Sequence, residues 1–106
     1  MAVSNDANIS PSPNAGFNEP WVIRLYIAGW TPASLAAVRN IRLLESDHLP
    51  AGSKVEIIDL LHDPEAGRAD HVVAIPTAVR VSPLPMRRIV GALDDMDKTL
   101  EILGFR

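Results

Sequence analysis

The sequence predicts an α/β fold of order β-α-β-α-β-β-α with a mixed four-stranded sheet, and three observations carry that expectation. Trp21–Ala28 and Lys54–Leu60 are apolar, β-branched runs separated by a stretch with helical periodicity. Two shorter strand-like runs, Thr77–Val81 and Arg87–Val90, flank a turn with prolines at alternate positions. The amphipathic stretch Asp94–Leu103 follows them. A strand–helix–strand unit of about forty residues implies parallel strands and a right-handed crossover. The proline turn implies an antiparallel hairpin added to that pair.

The elements follow in order. Residues 1–20 are dominated by Ser, Asn, Pro, Ala and Gly. Such a segment buries too little apolar area to offset its ordering entropy, so it reads as a flexible tail with Phe17 solvated. The folded domain is expected over 21–106. Trp21–Ala28 is nearly continuous in apolar residues, as in a strand buried on both faces. Thr31 is an N-cap and Pro32 sits at N1, where its missing N–H costs nothing. Leu35, Val38, Ile41 and Leu44 recur at helical spacing, and the helix should end near Asp47, before Pro50-Ala51-Gly52. Val55, Ile57 and Ile58 give the next strand its core. Asp63-Pro64 repeats the cap-then-proline pattern and predicts a short helix to about Val72. Pro76 stops it. Thr77–Val81 alternates Thr, Val and Val against Ala and Arg and reads as half-buried. Arg87–Val90 should pair with it, and Gly91 ends that strand. Asp94 is the expected cap of the last helix, with Asp97 at the capping-box position. Leu93, Met96, Leu100 and Leu103 form its apolar face, and Gly104 closes it.

Composition narrows the function. One hundred and six residues with 47% hydrophobic content make one ordinary domain with a true core. The chain has no cysteine, which removes disulfides, thiolate nucleophiles and Cys-ligated metals, and fits a reducing cytoplasm. Net charge is −3 with no basic run, which gives no support to nucleic-acid binding. No segment approaches a membrane span or a signal peptide.

Few residues suggest chemistry. A strand, a turn with Trp and Pro, a helix and a distant Ile75-Pro76-Thr77 form a thioredoxin-like layout, in which Pro76 is expected in cis. Thr31 and Ser34 stand where such a redox domain has Cys-x-x-Cys. Ser34 has no neighbouring base in the sequence, so both residues read as helix caps. His48, His62 and His71 match no metal motif. Asp59, Asp63 and Asp70 lack the loop chemistry of a magnesium set. Trp30 is a candidate contact, exposed or structural. Arg87 and Arg88 point to opposite faces of a strand and meet either an acidic partner or the run Asp94-Asp95-x-Asp97. The isolated glycines form no phosphate loop. A second reading from a different class is a small-anion or thiol-compound binder, or an enzyme without cysteine redox chemistry, using the helix start at Thr31.

Four segments resemble the KaiB family of circadian clock proteins. They are Leu25-Tyr26-Ile27-Ala28-Gly29-Trp30-Thr31-Pro32-Ala33-Ser34, Val55–Leu60 with Asp63-Pro64, Ala74-Ile75-Pro76-Thr77, and Pro83-Leu84-Pro85-Met86-Arg87-Arg88-Ile89-Val90-Gly91. The likeness runs from about 22 to 103, and the sensor domain of the kinase SasA is similar too. The resemblance implies a thioredoxin-like adaptor, no enzyme, no cofactor and a KaiC-like ring ATPase as partner. KaiA-like proteins, sensor kinases and self-association are further implied partners, in circadian or stress-response signalling. It also implies an alternative ground-state fold, with Pro76, Pro83 and Pro85 in the half that rearranges. Trp30, Arg39, Arg87 and Arg88 are the expected partner-binding residues. Residues 94–103 prefer a helix locally, which favours the thioredoxin-like state.

Overall fold

The structure is a computed structural model that describes residues 19–72 and 74–105. Most of the N-terminal tail, Phe17 included, lies outside the described residues. The elements are β1 (Val22–Ile27), α1 (Pro32–His48), β2 (Lys54–Asp59), a 3₁₀ turn (Pro64–Gly67), β3 (Thr77–Ser82), β4 (Arg87–Val90) and α2 (Met96–Leu103). The sheet order is β2-β1-β3-β4. β1 runs parallel to β2 and antiparallel to β3, and β4 is antiparallel to β3. The fold is thioredoxin-like. The Ile75–Pro76, Ser82–Pro83 and Leu84–Pro85 bonds are cis. No helix among the described residues is long and apolar enough to cross a membrane.

Both helices lie on one face of the sheet, α1 against β1 and β2 and α2 against β4. Ile23, Leu25 and Ile27 pack there with Ala37, Ile41 and Leu44 of α1 and Leu100 and Leu103 of α2. Burying each such side chain contributes about 1.5–3 kcal/mol. Trp21 and Phe105 stack at one end, with ring centroids 4.1 Å apart.

α1 starts as expected: Thr31 Oγ1 accepts the Ser34 N–H at 3.1 Å, and Pro32 is at N1. Its buried stripe is Ser34, Ala37, Asn40, Ile41 and Leu44, and Leu35 is exposed. A strict three-residue step falls short of the 3.6-residue turn and drifts off the face, so Leu35 leaves it. Asn40 Nδ2 instead ties α1 to Ala92 O at 2.9 Å.

Four other expectations need correction. β1 is not apolar-buried on both faces. Its second face carries Arg24 and the buried Tyr26, which meet Glu56 and Asp70. The helix expected from Asp63 to Val72 is a single 3₁₀ turn. Asp63 makes no side-chain cap bond, the segment after Ala66 has no apolar stripe, and Asp70 is drawn into a tertiary hydrogen bond with Tyr26. β3 is more than half-buried: Thr77, Ala78, Val79 and Arg80 are all buried, because β1 and β4 flank it. Ala78 and Arg80 face the helices. Finally, Asp95 rather than Asp94 caps α2, accepting the Lys98 N–H at 3.1 Å, so Asp97 has no capping-box place. Leu93 takes φ 61° with its side chain buried, which moves the cap one residue on. Gly104 ends α2 at φ 102°, as its sequence position predicts.

Tyr26 is the sole tyrosine in the chain. Burial first, and then the hydrogen bond to Asp70, push its phenol up to about 12. In the unfolded chain it ionises near 10. A raised acid favours the folded state below the unfolded value, so its stabilisation is complete below about pH 10 and is lost as pH rises toward about 12. Ultraviolet titration of tyrosinate is expected to give a midpoint near 12 for the folded chain and near 10 in denaturant. A folded-state midpoint at 10 would contradict the Tyr26–Asp70 contact.

Candidate functional site

The turn between β1 and α1 is built for rigidity. Gly29 takes φ 73°, a conformation that favours glycine, and a Cβ there would lie 3.0 Å from Leu61 Cδ1. Its N–H donates to Asp59 Oδ1 at 3.0 Å, and the Leu61 N–H donates to the same oxygen at 3.0 Å. These two amides, Gly29 first, hold the Asp59 carboxyl below its ordinary range. The Leu35 N–H closes the first turn of α1 on Thr31 O at 2.8 Å. Between these fixed points Trp30 is 59% exposed. The sequence left Trp30 open between contact and structural roles, and the structure places it at the surface.

The hydroxyls of the same turn are engaged locally. The Thr31 hydroxyl donates to Ser34 Oγ at 3.1 Å, and Ser34 is buried. The two hydroxyls are used on each other and on the helix start, with no base recorded against either. His62 reaches Asp59 only at 3.8 Å and is exposed. Asp59 and Asp70 serve separate hydrogen-bond networks, so the acidic set considered from sequence does not converge. Among the described residues no group of three or more His, Asp or Glu is placed to hold a metal ion.

α1 presents an exposed face of its own. Leu35 and Leu43 are 53% and 48% exposed, with Arg39 between them. Residues at four-residue steps share a helix face, so these three form one stripe. Periodicity hides this, because Leu35 at helical spacing reads as core.

Arg87 and Arg88 lie elsewhere. Arg87 pairs with Arg80, and Arg80 pairs with Ile23 near the start of β1. Trp30 lies seven residues further along, roughly 20 Å at strand rise. Arg87 faces the helices, while Arg88 faces the other side and donates to His71 O at 3.2 Å. Arg24, Arg42, Lys54 and Arg68 are paired with carboxylates. Arg39, Arg87 and Arg88 have no carboxylate partner among the described residues. Among the described residues neither Arg87 nor Arg88 is ion-paired with Asp94 or Asp95, a pairing the sequence left open. The four expected contact residues therefore divide into two groups, Trp30 with Arg39 and Arg87 with Arg88.

Comparison with known proteins adds the following. The model of the KaiB domain family matches residues 24–105. The circadian clock oscillator protein KaiB of Rippkaea orientalis is 33% identical over 84 residues, 79% of this chain and 81% of the relative. That of Synechococcus elongatus is 35% identical over 80 residues, 76% and 78% of the two chains. Among solved structures, the N-terminal domain of Synechococcus elongatus SasA is similar with a TM-score of 0.61 at 17% identity, covering 83% of this chain and 87% of that one. Fasciola hepatica thioredoxin gives 0.63 at 18% identity, covering 78% of each. These two likenesses concern the fold alone.

Proposed function

The chain belongs to the KaiB family, and from that premise we propose that it is a non-enzymatic adaptor that docks on a KaiC-like ring ATPase. The domain spans 21–106 behind a tail of 1–20, works in the cytoplasm, and passes the ATPase state to circadian or stress-response signalling through KaiA-like or sensor-kinase proteins. Pro76, Pro83 and Pro85 flank the two later strands, which the family's alternative fold would rearrange.

The observation that carries the reading is the 59% exposed Trp30 in the turn that opens α1, the helix on which Leu35, Arg39 and Leu43 are also exposed. An aromatic already held in its turn loses little entropy on binding, and such residues dominate binding energy at interfaces. The partnerless Arg39 adds charge selectivity between the two leucines. A free Ser34 nucleophile would support an enzyme, whereas Ser34 is buried and its hydroxyl accepts from Thr31.

Capture of the ring ATPase in its ADP and ATP states tests the reading. The chain is expected to be retained preferentially in one state, and Trp30→Ala to weaken that binding by about 2 kcal/mol, roughly thirtyfold. Failure in both nucleotide states, together with tight binding of a small thiol or anion, would transfer support to the small-ligand reading.

A further inference from the structure

β4 is the last strand of the sheet, and among the described residues no strand lies on its outer side. Its hydrogen-bond phase is set by the register. The Gly91 N–H donates to Pro76 O at 2.9 Å, and Ile89 pairs with Ala78 and Arg87 with Arg80. Antiparallel pairs alternate between bonded and non-bonded positions. The backbone groups of Arg87, Ile89 and Gly91 therefore turn toward β3. Those of Arg88 and Val90 turn outward, with no recorded partner.

A groove of about 420 Å³ runs beside this edge, between β4 and α2. Ile89, Thr99 and Ile102 line it, Lys98 stands on its α2 side, and Asp94 and Asp95 close its far end. Val90, on the opposite face of the strand, is 58% exposed. A strand laid along β4 would place alternate side chains in the groove and the others beside Arg88 and Val90.

Charge selects the occupant. Arg87 and Arg88 lead the strand without carboxylate partners, and Arg87 faces the buried Arg80 across the register. A second copy laid parallel to this edge would set its own arginines against these and be repelled, and laid antiparallel it would present β4 itself, which carries no carboxylate. A carboxylate arriving here meets two exposed cations and offsets the Arg80–Arg87 repulsion. Asp94 and Asp95 disfavour carboxylates at the Gly91 end.

We propose that the free edge of β4 is a strand-addition site for an extended partner segment of alternating side chains, with its carboxylates at the Arg87–Arg88 end. This surface is separate from the Trp30–α1 stripe, so an adaptor can hold two proteins at once. It does not depend on which ATPase the stripe engages.

The test uses the full chain and two short synthetic peptides of alternating valine and threonine. One has two glutamates at its amino end, the other two at its carboxyl end. One peptide should bind better, shifting the amide resonances of Arg88, Val90 and Ile102 and slowing exchange of the Arg88 and Val90 N–H groups. Arg88→Glu should weaken binding about tenfold. Val90→Pro removes an outward donor while keeping the β3 ladder, and should also weaken binding about tenfold with an unchanged circular dichroism spectrum. Absence of binding by both peptides, binding indifferent to both substitutions, or shifts confined to residues 30–43 would overturn the proposal. A Val90→Pro chain that loses the peptide but still captures the ATPase separates the two surfaces. Loss of ATPase capture by the Trp30→Ala chain with peptide binding intact supports two separate surfaces.

Discussion

Arg80→Met is expected to destabilise the domain by about 2–3 kcal/mol, lower Tm by roughly 10–20 °C, and accelerate amide exchange first in α2. Arg80 is only 6% exposed. Its Nη1 donates to Leu103 O at 2.7 Å and its Nη2 to Pro85 O at 2.7 Å. The guanidinium lies 4.9 Å from the Trp21 ring centroid. One side chain thus joins the end of α2, the β3–β4 turn and the Trp21–Phe105 stack. Two effects oppose each other. Burial, followed by the like charge of Arg87, holds the Arg80 pKa below its ordinary value, and Arg80 Nε has no partner. Replacing an ill-paired buried cation by a hydrophobe can stabilise a protein. Here the two charge-assisted bonds should prevail, because the carbonyl left at Leu103 is buried at the negative end of a helix. Arg80→Lys can reach only one carbonyl and should lose about half as much. A Met variant as stable as the parent, by chemical denaturation, would show that desolvation wins. The environment leaves no slack: a Cβ at Gly104 would lie 2.5 Å from Nη1.

Arg80 also marks where the sequence stops being legible. Strands, their order and both helices follow from periodicity, proline and cap residues, since each is a local signal. The cap at Thr31 and the stop at Gly104 are of the same kind. Within β3, alternation sets Ala78 and Arg80 on one face, but residue type alone does not reveal which face is buried. Only the placement of Trp21 and α2, distant in sequence, makes it the core side. Leu35 fails for the opposite reason: an apolar residue at helical spacing looks like core, and only the path of the buried stripe through Ser34 and Ala37 excludes it. The exposure of the candidate contact residues is legible in part. Trp30 was chosen because its turn matched a known layout, and Arg87 and Arg88 because two adjacent strand cations stand out. Asp59, the residue that fixes the turn, gave no signal, because a carboxylate after a strand is ordinary until two amides are found to converge on it.

Asp70→Ala is expected to be the other large loss, about 2–3 kcal/mol. Asp70 is 4% exposed and accepts from the Tyr26 hydroxyl and from Arg24 Nη1, the latter at 3.3 Å. Arg24 also donates from Nε to Glu56 at 3.0 Å, so it keeps a carboxylate when Asp70 is removed. Tyr26 does not. Its hydroxyl is fully buried on a face covered by the 60–72 segment, and truncation leaves it an unsatisfied donor. That asymmetry predicts the pattern of a double-mutant cycle. Tyr26→Phe alone removes the donor but leaves Asp70 against Arg24, and should lose about 1–2 kcal/mol. Added to Tyr26→Phe, Asp70→Ala should then lose less than in the parent, giving a coupling of about 1 kcal/mol or more. Asp70→Asn, which keeps an acceptor of the same shape, should fall between. The same substitutions have a spectroscopic readout. Burial is the larger cause of the raised Tyr26 phenol and the Asp70 bond the next, so Asp70→Asn should lower its midpoint from about 12 only part of the way toward 10. Unchanged stability with an unchanged titration would mean that the 60–72 segment does not anchor through Asp70. The turn that replaces the expected second helix would then have lost the contact invoked to explain it.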